Sequence, residues 1–87
     1  MTKYVLRLTA QDGKGGMTTE LENTETGYSV EEMWTRIDGV WVWETSWSTD
    51  GGEQETLYWT LNGNDARTDE LLNELEASFY NKIEFEA

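Results

Sequence analysis

Neither a cysteine nor a histidine occurs in the 87 residues, which removes the two staples that chains this short commonly rely on. No disulfide can form, and the usual zinc, iron and copper ligand sets are missing. A domain of this size buries only about 60–65% of the surface its unfolded chain exposes. Its core must therefore come from side chains that each bury a large area. Five Trp, four Tyr and two Phe can supply that, since each large ring removes roughly 150–250 Å² from water. The chain reads as one domain over residues 1–87 with an aromatic core.

Lys3 to Ala10 alternates, with Tyr4, Leu6 and Leu8 on one face and Val5, Arg7 and Thr9 on the other, the period of a half-buried strand. Asp12-Gly13 supplies a hairpin turn. A two-residue loop there sets Leu8 opposite Met17, Leu6 opposite Thr19 and Tyr4 opposite Leu21, on a second strand from Gly16 to Glu22. Two readings compete for Val30 to Ile37. Ser29 with Glu32 fits a capping box, Val30, Met33, Trp34 and Ile37 follow the helical period, and Gly39 stands where a helix stops. These three signals agree and favour a short helix. Asp38-Gly39 between alternating residues is also a hairpin signal, which pairs Trp34 with Trp43.

Val40 to Trp47 is strand by its β-branched and aromatic content, with Trp41, Trp43, Thr45 and Trp47 on one side. An Asp50-Gly51-Gly52 loop places Trp43 opposite Trp59, Trp41 opposite Leu61 and Thr45 opposite Leu57. The rings then meet an apolar strand face and form core, with Trp47 near the hairpin end and partly exposed. Further on, Thr68 is a candidate N-cap, and Leu71, Leu72, Leu75 and Phe79 form the buried stripe of a helix that frays near Asn81. Ile83 and Phe85 suit a short terminal strand at a sheet edge. Hairpin turns at Asp12 and Asp50 and caps at Ser29 and Thr68 repeat at similar spacing. The expected fold is α+β, a four-stranded antiparallel sheet with two helices on one face in the order ββαββα. The alternative, if Val30 to Ile37 is strand, is a five-stranded meander with a C-terminal helix.

Catalytic chemistry finds little support in this sequence. Triads with a histidine base are excluded, and no Ser lies in a G-x-S-x-G elbow. Carboxylate pairs suited to glycoside cleavage arise by chance among 18 acids. The glycine-rich QDGKGG and TDGGEQ stretches lack the phosphate-loop spacing, and NGNDARTDE lacks the calcium-loop register. No enzyme activity, cofactor or metal is expected. The N-terminal MTKYVLRLTAQ does not have the pattern of a signal peptide, and no apolar run approaches a membrane span, so a cytoplasmic protein is expected.

With 18 acids against six bases the net charge is −12. Such a charge repels nucleic acid and anionic membranes and speeds encounter with basic proteins. The open sheet face is expected to show Arg7, Thr18, Glu20, Glu22, Val42, Glu44, Thr56, Tyr58 and Thr60. The C-terminal helix adds Asp69, Glu70, Glu74 and Glu76, of which 70 and 74 sit one turn apart. Glu20, Glu22, Glu44, Tyr58, Asp69, Glu70, Glu74 and Glu76 are the candidate partner-binding residues. In size, single-domain build, charge and lack of catalytic residues the chain resembles the small acidic inhibitors of phages and mobile elements. These are anti-CRISPR and anti-restriction proteins that act as DNA mimics. The resemblance implies an inhibitor whose partner is a basic protein, a nuclease or other nucleic-acid-binding complex, with a groove rich in Lys and Arg. Two other readings are a salt-adapted interaction domain and a Trp-mediated carbohydrate-binding module.

Overall fold

The computed structural model describes residues 1–48 and 55–87. Four strands follow one another, β1 (Lys3–Gln11), β2 (Gly16–Asn23), β3 (Ser29–Ile37) and β4 (Val40–Ser48). Two helices come next, a single turn α1 (Leu57–Thr60) and the longer α2 (Asp65–Ala77), and then a last strand, β5 (Lys82–Glu86). All strand pairings are antiparallel and the sheet order is β4-β3-β2-β1-β5. The expected α+β class and the helices on one sheet face are present. The element order differs from ββαββα and corresponds to the five-stranded alternative. Its fifth strand is β5, which returns to pair with β1, and residues 57–60 are helical where that reading needed a strand.

Val30 to Ile37 is a strand, against the favoured helix. Its β-branched and aromatic residues suit a pleated surface, and it gains two paired neighbours, β2 and β4. Asp38 and Gly39 both take positive φ, 52° and 83°, as a two-residue type I′ hairpin turn requires. The capping box at Ser29 and the glycine stop are therefore turn and strand features. An added Cβ at Gly39 would meet nothing within 4 Å, so only backbone strain opposes substitution there. Gly39→Ala is expected to cost about 1 kcal/mol, read as a lower urea midpoint with unchanged slope.

The first hairpin forms, in a register two residues away from the expected one: Leu8 faces Thr19, Leu6 faces Leu21 and Tyr4 faces Asn23. The shift has two sources. The turn is longer than two residues, with the Asp12 carboxylate accepting from the backbone N–H of Lys14 and of Gly16, and a bulge at Thr9 absorbs one residue. A two-residue shift keeps every side chain on its face, so the core assignment survives. The second expected hairpin does not form. Trp43 pairs with Trp34, not Trp59, as the Asp38-Gly39 hairpin reading required, and the Asp50 turn lies outside the described residues.

The core sits between the inner sheet face and the helices. Tyr4, Leu6, Met17, Leu21, Trp34 and Trp41 meet Leu57, Leu71, Leu72, Leu75 and Phe85. Asn64 caps α2 by accepting from the Arg67 N–H. Thr68, the expected cap, lies a turn inside and donates its hydroxyl to the Asn64 carbonyl. The helix ends at Ala77, so Phe79 falls beyond it and is exposed, in edge contact with Tyr80.

Candidate functional site

The sheet face away from the helices is uncovered among the described residues, and the strand register says what stands on it. One row reads Lys82, Arg7, Glu20, Glu31 and Trp47, and the next reads Glu84, Val5, Glu22 and Ser29. Glu20 thus faces Glu31 directly across β2 and β3. Arg7 reaches Glu22 at 2.7 Å and Glu20 at 3.3 Å, while among the described residues no cation pairs with Glu31. Like charges directly opposite on neighbouring strands destabilise a sheet, by an amount comparable to the roughly 0.2–1 kcal/mol of a favourable pair.

A bulge in β4 decides which tryptophans join this face. Thr45 faces Met33 and Trp43 faces Trp34, leaving Glu44 as the extra residue. Before the bulge Trp41 and Trp43 point inward, and after it Trp47 points outward, 39% exposed. The expectation of four residues on one side fails because strict alternation breaks at Glu44. Trp47 stands beside Met33, itself 39% exposed, and Glu44 lines a shallow depression with Thr18, Met33 and Thr35. The open face thus carries Glu20, Glu22, Glu31 and Glu44 around an apolar pair. Three expected members are elsewhere: Thr56 is buried, and Thr60 and Tyr58 lie in α1, Tyr58 stacked on Trp43 at 5.3 Å between ring centroids.

The acids of α2 occupy the other layer, so the eight candidate residues do not form one surface. Three polar residues spaced along one flank of α2 pin it to the sheet. Asp69 accepts from the Trp41 backbone N–H at 2.8 Å, Asn73 from the Trp41 indole at 2.9 Å and from Arg36, and Glu76 from Arg36 at 3.0 Å. Arg36 also lies over the Trp41 ring, 4.3 Å from its centroid. Glu70 pairs with Arg67 on its own helix. Among the described residues, Glu74 is the one of the four acids Asp69, Glu70, Glu74 and Glu76 whose side chain has no partner. What α2 presents outward is therefore mostly spent on holding the helix.

Between the edge strand β4 and the two helices lies a cleft of about 340 Å³. Its walls include Trp41, Trp43, Tyr58, Asp65 and Asp69. The indole N–H of Trp43 is buried with no acceptor among the described residues. Thr56 caps α1 by accepting from the Trp59 N–H, and Glu32, fully buried on β3, accepts from the Leu57 N–H at 2.6 Å. Glu32 thereby holds α1, and with it Tyr58, against the sheet. Burial pushes the Glu32 carboxyl up to about 7, with the N–H groups of Leu57 and Tyr58 pulling the other way.

The open-face pair of Glu31 and Trp47 escaped sequence reasoning because it depends on β3 being a strand and on the β4 bulge. Alternation of Glu31, Met33 and Thr35 was the available signal. No helix among the described residues is long and apolar enough to cross a membrane. No family model, curated protein or solved structure matches the chain.

Proposed function

We propose that this chain is a non-catalytic acidic binding protein that occupies the nucleic-acid site of a basic partner, a nuclease or similar complex, in the manner of anti-CRISPR and anti-restriction inhibitors. The observation that carries the reading is the Glu20–Glu31 juxtaposition on an uncovered sheet face, in which Arg7 answers Glu20 but no cation among the described residues answers Glu31. A fold that keeps like charges opposite one another gives up stability at that point, and a cationic groove laid on the face would recover it. Glu20, Glu22, Glu31 and Glu44 are fixed on strands, with directly opposed Cβ atoms about 5 Å apart. That spacing suits a row of Lys and Arg side chains. Trp47 and Met33 supply the desolvated anchor that sets the lifetime of a complex, while the surrounding carboxylates mainly raise its rate of formation.

The test is competition. A basic nucleic-acid-binding protein retained by this chain at low salt is loaded with labelled DNA or RNA, and the chain is added. Displacement of the nucleic acid, with no ternary complex, is the expected outcome; simultaneous binding would overturn the mimicry. Glu31→Gln carries a sharper signature. It should stabilise the free protein by a few tenths of a kcal/mol and slow association with the partner. A residue that served only the fold would not gain stability on replacement. Trp47→Ala should instead speed dissociation and leave stability nearly unchanged.

A further inference from the structure

We propose that the cleft between β4 and the helices binds an organic cation with an apolar stem, of the guanidinium or alkylammonium class. This site lies across the sheet from the open face and does not depend on the function proposed for that face. At about 340 Å³ the cleft is at the lower end of the range of small-molecule sites, enough for a charged headgroup and part of its stem.

The chemistry of its walls selects the ligand. Trp41, Trp43 and Tyr58 bring three aromatic rings to the cleft. Trp43 and Tyr58 stack on each other and Arg36 covers one face of Trp41, which leaves one face of each ring, and such faces attract cations through their quadrupole, Trp most strongly. The same fold already uses this attraction once, where Arg36 sits 4.3 Å from the Trp41 ring centroid. Asp65 and Asp69 complete the walls, four residues apart on α2 and so on one side of the helix. Neither forms an ion pair with any of the six bases. Arg36 is engaged with Glu76 and Arg67 with Glu70, so neither of these arginines neutralises the pair. The start of α2 opposes a cation by a partial charge of roughly +0.5, which two full carboxylate charges outweigh. Anions and neutral polar ligands meet the reverse balance.

The experiment titrates the intact protein with choline and with N-acetyl-arginine amide, following Trp fluorescence and the indole N–H resonances of Trp41 and Trp43. Their neutral counterparts, 3,3-dimethylbutan-1-ol and N-acetyl-citrulline amide, are run alongside. Saturable binding of at least one cation, and at least about fivefold weaker binding of its neutral counterpart, is expected. Preference for choline assigns the site to a free small cation, and preference for the arginine derivative to a side chain of a protein partner. Asp65→Asn and Asp69→Asn should each weaken binding about three- to fivefold, and Tyr58→Leu by a similar factor while retaining an apolar residue at α1. Glu74→Gln removes the same charge from α2 outside the cleft and should leave binding unchanged. Equal binding of charged and neutral partners, equal loss in Glu74→Gln, or no saturation by either cation overturns the proposal. None of these outcomes bears on Glu31 or Trp47, so failure here leaves the open-face reading to its own test.

Discussion

Trp34→Ala is expected to cost about 3–5 kcal/mol and to lower the melting temperature by roughly 15–30 °C. Trp34 is the largest of the fully buried side chains, 1% exposed, and sits in the middle of the inner sheet face between Met17 and Trp43. Its indole N–H donates to the Thr19 hydroxyl at 3.0 Å, and Thr19 is itself buried. Truncation therefore opens a cavity and also leaves a buried hydroxyl without its donor. A domain of this length has on the order of 4–13 kcal/mol of stability in total, so a large fraction of the variant unfolds at 37 °C. Trp34→Phe keeps most of the volume and should fall between wild type and alanine. Urea denaturation followed by circular dichroism measures all three. A Trp34→Ala midpoint close to that of wild type would mean that the ring does not hold the layers together.

Strand β1, the turn at Asp12, the leucine stripe of α2 and the terminal strand at Ile83 and Phe85 were all legible in the sequence. In each, a local pattern and burial point the same way. Val30 to Ile37 was not, because its pattern contained a charge at an inward position. Read as a strand, it buries Glu32 beside Val30 and Trp34; read as a helix, it leaves Glu32 as a cap. Local physics prefers the second, and only pairing with both β2 and β4, together with a carboxylate needed to hold α1, reverses it. The strand expected to carry Leu57, Trp59 and Leu61 opposite β4 fails for a related reason. Thr56 and Glu32 supply the two helix-start contacts, and one of them comes from 25 residues away.

The candidate site was legible in charge and obscure in placement. Glu20, Glu22 and Glu44 lie on the open face as expected, since alternation along β2 is regular and the β4 bulge leaves Glu44 near Met33 and Thr35. Asp69 and Glu76 look like outward helix acids in sequence, but they face Trp41 and Arg36. No periodicity argument on α2 alone can show that a neighbouring strand edge offers an unpaired N–H and a guanidinium. Tyr58 moved from the open face to the cleft once its segment became α1, and Trp47 took the place of exposed aromatic anchor on the open face.

Glu32 should make stability fall as pH rises, the reverse of the usual carboxylate behaviour. Its side chain is fully buried, one oxygen accepts from the Leu57 N–H at 2.6 Å and the other has no partner. Desolvation therefore outweighs the amide contacts, and the folded-state value stands at about 7 against an ordinary 4.5. Between those two values the folded chain holds a proton that the unfolded chain has released. The stabilisation is fully present below about pH 4.5 and is lost as pH rises through 7, amounting to about 3 kcal/mol. Asp12, lowered by the Lys14 and Gly16 N–H groups, contributes the opposite slope at lower pH. Repulsion among the remaining acids also grows with pH in every variant, so the informative quantity is a difference. Glu32→Gln keeps an oxygen for the Leu57 N–H and has no charge to desolvate. Relative to wild type it should gain about 3 kcal/mol between pH 4.5 and 8, read from urea midpoints at closely spaced pH values. Parallel curves for the two proteins would show that Glu32 is not the group that titrates. Glu32→Ala separates the two roles: it too loses the pH dependence, but it leaves the start of α1 unanswered, at a cost of about 1–3 kcal/mol at every pH. Because α1 carries Tyr58 against Trp43, ionisation of Glu32 above pH 7 should loosen that wall of the cleft first, visible as a change at the Trp43 indole N–H before global unfolding.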